Sequence, residues 1–153
     1  KNYKKHCKMG DIAKDVNSKF KDNKTKALIN ILYTANWITA KQNTFFAGFG
    51  ISPQQYNILR ILRGANKPLS MQIVKDRMIE RAPNATRLTD KLCAKALIER
   101  IASKNDRRVV NIQITRKGLE LLEEISDDFN EDWLGAITED EAAQLSDLLD
   151  KLR

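Results

Sequence analysis

Asn84-Ala85-Thr86-Arg87-Leu88-Thr89-Asp90-Lys91-Leu92, followed by Ser103-Lys104-Asn105-Asp106-Arg107-Arg108 and then Val110-Asn111-Ile112-Gln113-Ile114, are the residues on which the fold turns. Leu88, Leu92 and Ala96 recur every four residues, the spacing of one helix face. Asn84, just after Pro83, stands where an N-cap is expected. The apolar period then drops to two: Val110, Ile112 and Ile114 alternate with Asn111 and Gln113, the pattern of a strand with one buried face. Ile98 to Ala102 supplies an opposing strand. The wholly polar residues 103–108 between them make a hairpin with an arginine-rich tip.

Upstream, Ser70 opens a short helix through Met78, with Ile73, Val74 and Met78 apolar. Before it, Ser52, Pro53 and Gln55 form an N-cap, a first-turn proline and a capping box, and Ile51 and Tyr56 form a hydrophobic staple. That helix stops near Gly64, at the turn Asn66-Lys67-Pro68. Lys24 to Phe46 contains no Pro or Gly and carries Leu28, Ile29, Leu32, Ala35, Trp37 and Ile38, a long helix ending near Gly48 and Gly50. Ile12, Val16 and Phe20, four apart, suggest a further short helix. Downstream, Thr115 caps a helix lined by Leu122, Ile125, Phe129 and Trp133. Thr138 and Glu141 make a second capping box before the stripe Ala142, Leu145, Leu148, Leu149 and Leu152.

The order helix, helix, helix, helix, hairpin, helix, helix describes a mostly α chain with a small β-hairpin wing, a winged helix-turn-helix. Residues 51–115 form this region and residues 1–23 a basic N-terminal extension. Residues 24–50 and 116–153 carry more apolar surface than a small core needs, Trp37, Phe129, Trp133 and the Leu145–Leu152 stripe above all. They are read as N- and C-terminal dimerisation helices, or alternatively as the closure of a monomeric core.

The formal net charge of +7 is unevenly spread. Residues 69–118 carry twelve basic and five acidic side chains, whereas residues 119–153 carry two basic and twelve acidic ones. Such a sided field draws a phosphate backbone to the basic part, although many basic proteins bind no nucleic acid. With Leu88 and Leu92 inward, a helical step of about 100° turns Thr86, Arg87, Asp90 and Ala94 outward and leaves Thr89 and Lys91 on the flanks. An arginine near the start of such a helix suits guanine edges, and threonine suits a base or a phosphate. A solvated helix face would look the same. The tip arginines suit a minor groove and a phosphate, with Asp106 able to hold one of them in place. The expected double-stranded DNA contacts are Ser70, Asn84, Thr86, Arg87, Thr89, Asp90, Lys91, Asp106, Arg107 and Arg108.

Residues 83–92, followed by Leu97-Ile98-Glu99-Arg100, resemble the recognition helix of MarR-type regulators. Asp106-Arg107-Arg108, then Val110, Ile112, Thr115 and Gly118, resembles their wing and its exit, and residues 52–62 resemble the helix before the motif. The likeness covers about residues 27–152. It implies a homodimeric transcriptional regulator, repressor or activator, that dimerises through its terminal helices and places Arg108 in the minor groove. It also implies a small phenolic or lipophilic effector in a cleft that Tyr33, Trp37 and Tyr56 could line, although core packing explains these aromatic residues at least as well. The family usually has Gly where this chain has Ala96, so the turn into the wing is expected to differ.

No catalytic constellation appears. There is no phosphate-binding glycine loop, no serine elbow and no metal-ligand spacing, so neither an enzyme nor a cofactor is expected. The one histidine, His6, lies outside the recognisable fold. Cys7 and Cys93 form no disulfide framework, and no apolar stretch follows the basic first residues, so neither a membrane span nor a leader is expected and the cytoplasm is the expected location. The rival functions are a winged-helix protein-interaction module and a chromosome-structuring protein that binds DNA without sequence choice.

Overall fold

The computed structural model describes residues 10–79, 84–102, 110–128 and 134–153. Its elements are α1 (Ile12–Asp15), α2 (Asn23–Gly48), α3 (Pro53–Ala65), β1 (Leu69–Ser70), α4 (Met71–Arg77), α5 (Ala85–Ala94), β2 (Ile98–Ala102), β3 (Val110–Ile114), α6 (Arg116–Asp128) and α7 (Glu139–Asp150). They fall into two compact units, residues 41–130 and residues 1–40 with 131–153. The strands form one antiparallel sheet in the order β1-β3-β2. Helices α4 and α5 followed by the β2–β3 hairpin make the expected winged helix-turn-helix.

The unit of residues 41–130 is built around one apolar core. Phe46 of α2, Ile58, Leu59 and Leu62 of α3, Leu92 of α5, Ile98 and Ile112 of the hairpin, and Leu122 and Ile125 of α6 are all buried in it. Burying each such side chain contributes about 1.5–3 kcal/mol against exposure. The entry to α3 is as the sequence predicts. The Gln55 amide donates to Ser52 Oγ over 3.2 Å, the Ser52 amide donates to Gln55 Oε1 over 3.0 Å, and Ile51 and Tyr56 both pack on the core. Gln55 is itself buried, and its Nε2 donates to the Leu88 carbonyl at 3.4 Å, so the cap of α3 also ties that helix to α5.

Helix exits follow one scheme. Gly50 has φ +68°; its amide donates to the Ala47 carbonyl, and the Ile51 amide to that of Phe46. This is a Schellman ending, closed by Ile51 and Phe46, both buried. Helix α5 ends the same way: the Ala96 amide donates to Cys93 and the Leu97 amide to Leu92, but the left-handed residue is an alanine, at φ +56°. The glycine expected at that position is absent while the conformation that favours glycine remains.

Two elements differ from the sequence reading. The spacing of Ile12, Val16 and Phe20 suggests a longer helix, but α1 stops at Asp15. Asn17 turns left-handed (φ +47°) and the Ser18 amide bonds back to Ala13, so the chain leaves the helix at the Asn-Ser pair. Residues 69–70 follow the predicted turn at Asn66-Lys67-Pro68 and reach the predicted helix start at Ser70. They add a third strand, with Leu69 opposite Ile112 and Ser70 opposite Asn111, before Ser70 caps α4.

In the other unit, Asp22 starts α2 by accepting the Thr25 amide at 2.8 Å. That bond and the Thr25 hydroxyl hold its carboxyl below the ordinary aspartate value of 3.8. Thr138 and Glu141 form the expected box at the start of α7. Leu28, Leu32, Tyr33 and Trp37 of α2, and Leu145, Leu148 and Leu152 at the C-terminal end, are exposed. Phe129 and Trp133 lie outside the described residues. Among the described residues no helix is long and apolar enough to cross a membrane.

Candidate nucleic-acid interface

Helix α5 has an unequal cross-section. Ala85, Leu88 and Leu92 are buried, and Thr86, Arg87, Asp90, Lys91 and Ala94 are exposed. Arg87, Asp90, Lys91 and Ala94 follow the three- and four-residue spacing of one helix face. Among the described residues neither Arg87 nor Lys91 is ion-paired.

Thr89 corrects the sequence reading. Expected on the flank with access to DNA, it is only 1% exposed, and its hydroxyl donates to the Thr86 carbonyl at 2.8 Å. That local bond satisfies the hydroxyl inside the protein, so a polar residue occupies a core-facing position without an unpaired group. Asn84 is a second correction. It precedes α5 as expected but makes no side-chain capping bond, and it is exposed. Ser70 is half-buried and accepts the Ile73 amide at 3.4 Å.

Asp90 is on the expected face but is already engaged: Arg100 of β2 donates to its carboxylate. Arg100 was absent from the expected contacts. The signal for it was the alternation of β2, in which Ile98, Arg100 and Ala102 share a face. Opposite them on β3 stand Ile114, Ile112 and Val110. An arginine in register with core isoleucines calls for an acidic partner. Asp106, Arg107 and Arg108 lie outside the described residues.

The turn from α5 into β2 is joined to the start of α6. The Thr115 amide donates to the Leu97 carbonyl at 3.1 Å, Thr115 Oγ1 to the Ala96 carbonyl at 2.7 Å, and Lys117 Nζ to the Lys95 carbonyl at 3.1 Å. Thr115 Oγ1 also accepts the Gly118 amide at 3.1 Å, the expected cap. A Cβ at Gly118 would sit 2.3 Å from the Leu97 carbonyl oxygen, so only glycine permits this approach. Lys95 in turn donates to the Gly50 carbonyl at the end of α2.

The three aromatic residues proposed for a ligand fall in different units. Tyr33 and Trp37 belong to the unit of residues 1–40 and 131–153, and both are about two-fifths exposed. Tyr56 stacks on Phe46 at 4.4 Å between centroids and accepts a hydrogen bond from Arg60 at 3.0 Å. Cys93 is half-buried against the core. Cys7 and His6 lie outside the described residues.

Known proteins share this sequence and this architecture. The sequence model of the MarR family matches residues 51–110. The HTH-type transcriptional regulator MhqR of Bacillus subtilis is 31% identical over 107 residues, 67% of this chain and 72% of MhqR. The HTH-type transcriptional regulator PecS of Dickeya dadantii is 31% identical over 113 residues, 70% of this chain and 68% of PecS. The crystal structure of a MarR transcription factor from Planctomyces limnophilus is 31% identical, with a TM-score of 0.67, covering 86% of this chain and 98% of that one. A mutant MarR from E. coli, complexed with operator DNA, has the same fold at 24% identity, with a TM-score of 0.73 over 88% of this chain and 99% of its own. With two curated regulators at this identity over about two thirds of their length or more, and with its helix-turn-helix and hairpin in the expected order, this chain belongs to the MarR family of transcriptional regulators.

Proposed function

We propose that the chain is a homodimeric regulator that binds double-stranded DNA sequence-specifically, with α5 in the major groove and the segment between β2 and β3 at the adjacent minor groove. The observation that carries this reading is the exposed face of α5. Arg87 and Lys91, both free of ion pairs among the described residues, stand on a helix whose opposite side is fixed in the core. A helix held from behind presents its side chains at a set depth, which base reading requires. Arg87 and Thr86 would meet base edges; Lys91, Asn84 and Ser70 would meet phosphates or sugars. The sequence that joins Ala102 to Val110 carries Lys104, Arg107 and Arg108. A mutant MarR from E. coli that shares this fold forms a complex with operator DNA, which supports the reading.

The test is a titration with a duplex that the wild-type chain selects from a random library, alongside a random-sequence duplex. Arg87→Ala is expected to cost about 1–3 kcal/mol on the selected duplex and to relax preference at one base position. Equal wild-type affinity for both duplexes would instead indicate binding without sequence choice. Absence of binding to either would favour a protein-interaction module.

A further inference from the structure

We infer that Asp90 and Arg100 are positioning residues for DNA recognition, their ion pair setting the angle between α5 and the hairpin while neither side chain reads a base. This inference rests on the DNA-binding reading above.

The hairpin is anchored to the core only along part of its length. On its inner face Ile98 and Ile112 are buried in the core. The next residue along β2 on that face is Arg100, opposite Ile112, and after it Ala102 and Val110 are both exposed. The apolar anchor therefore ends midway. Beyond it, among the described residues, the side-chain tie between β2 and α5 is the Asp90–Arg100 pair. A small rotation of the hairpin about its buried base grows with distance from that base, so a tie beyond the anchor sets the angle at which the strand ends Ala102 and Val110 leave the core.

Charge leads to the same assignment. A bare carboxylate on a face that meets phosphates repels them. Asp90 escapes this penalty because Arg100 neutralises it, and the pair presents no net charge to a phosphate. Both side chains are about half exposed, at 53% and 51%, and ion pairs with that much water contribute little to stability. The pair's effect should therefore appear in binding rather than in melting.

Wild type, Asp90→Asn, Arg100→Gln and the double variant can be titrated with the selected duplex and a random-sequence duplex at two salt concentrations, with thermal melting alongside. Each single change is expected to weaken binding to the selected duplex by about two- to fivefold, the range an exposed ion pair allows, and the double change no further than the worse single one. The salt slope and the melting temperature should hardly move. Electrostatics alone predicts the opposite sign for Asp90→Asn, because an acidic group is lost from the DNA-facing side. Tighter or unchanged binding of that variant to the selected duplex would overturn the inference. A salt slope reduced by about one in Arg100→Gln would make that residue a phosphate contact instead. An altered base preference in Asp90→Asn but not in Arg100→Gln would make Asp90 a base reader. If wild type binds neither duplex, the DNA-binding reading fails before any variant is compared, and this inference falls with it.

Discussion

Ala96 holds a backbone conformation that a side chain makes costly. Its φ of +56° closes the end of α5, where Gly50 performs the same task for α2 at no steric penalty. For an L-residue the left-handed region costs roughly 1–2 kcal/mol, partly offset because glycine is freer when unfolded. Ala96→Gly is therefore expected to raise unfolding stability by about 1 kcal/mol, read as a higher urea midpoint with an unchanged slope. A lower midpoint would mean that the alanine methyl makes a contact worth more than the strain. The departure at position 96 was visible in the sequence, since the resemblance leads one to expect glycine there. Thr89 was not legible in the same way. Its type says surface, and only a backbone carbonyl within reach of its hydroxyl allows it inside. Arg100 was legible in principle, because strand alternation puts it in line with Ile98.

Among the elements, two helix starts were read in full, whereas Asn84 stands at the start of α5 without a side-chain capping bond. Ser52 with Gln55 and Thr138 with Glu141 form the boxes their spacing announces, because a cap is a local bond between neighbours and needs no tertiary information. Strand β1 was unreadable for the converse reason. Two residues carry no period, and Leu69 and Ser70 become a strand only because β3 lies beside them. The start of α2 gives a pH-dependent outcome. The Asp22 carboxyl is held low by the Thr25 amide and hydroxyl, so its ionised form is the one the folded helix favours. A lowered folded-state value means the contribution is complete above the ordinary aspartate range, and it is lost as pH falls through the lowered value. Hydrogen exchange at the Thr25 amide should accelerate relative to neighbouring helical amides across that acid window. In Asp22→Asn, which can still cap, this acid-dependent component should vanish. An identical pH profile in both proteins would show that Asp22 does not govern the helix start.

At the scale of the whole molecule, the uncovered apolar surface calls for a partner. Leu28 and Leu32 on α2 and Leu148 and Leu152 at the other terminus are each more than half exposed, a quantity of apolar surface that a second copy could cover. Leu148→Glu is expected to shift sedimentation from dimer towards monomer and to weaken binding to a two-half-site duplex by at least tenfold. A dimer that persists unchanged would remove α7 from the interface. Sequence pattern could mark these surfaces as excess. It could not say what covers them, because burial between chains and burial within one chain leave the same apolar stripe. The junction of Thr115, Lys117 and Gly118 with the end of α5 has a mechanical meaning too. With three hydrogen bonds and a glycine-wide contact locking them, the first turn of α6 and the base of the hairpin cannot swing independently. A displacement of the first turn of α6 would therefore be handed on to the turn that closes α5 instead of being taken up by slack between them.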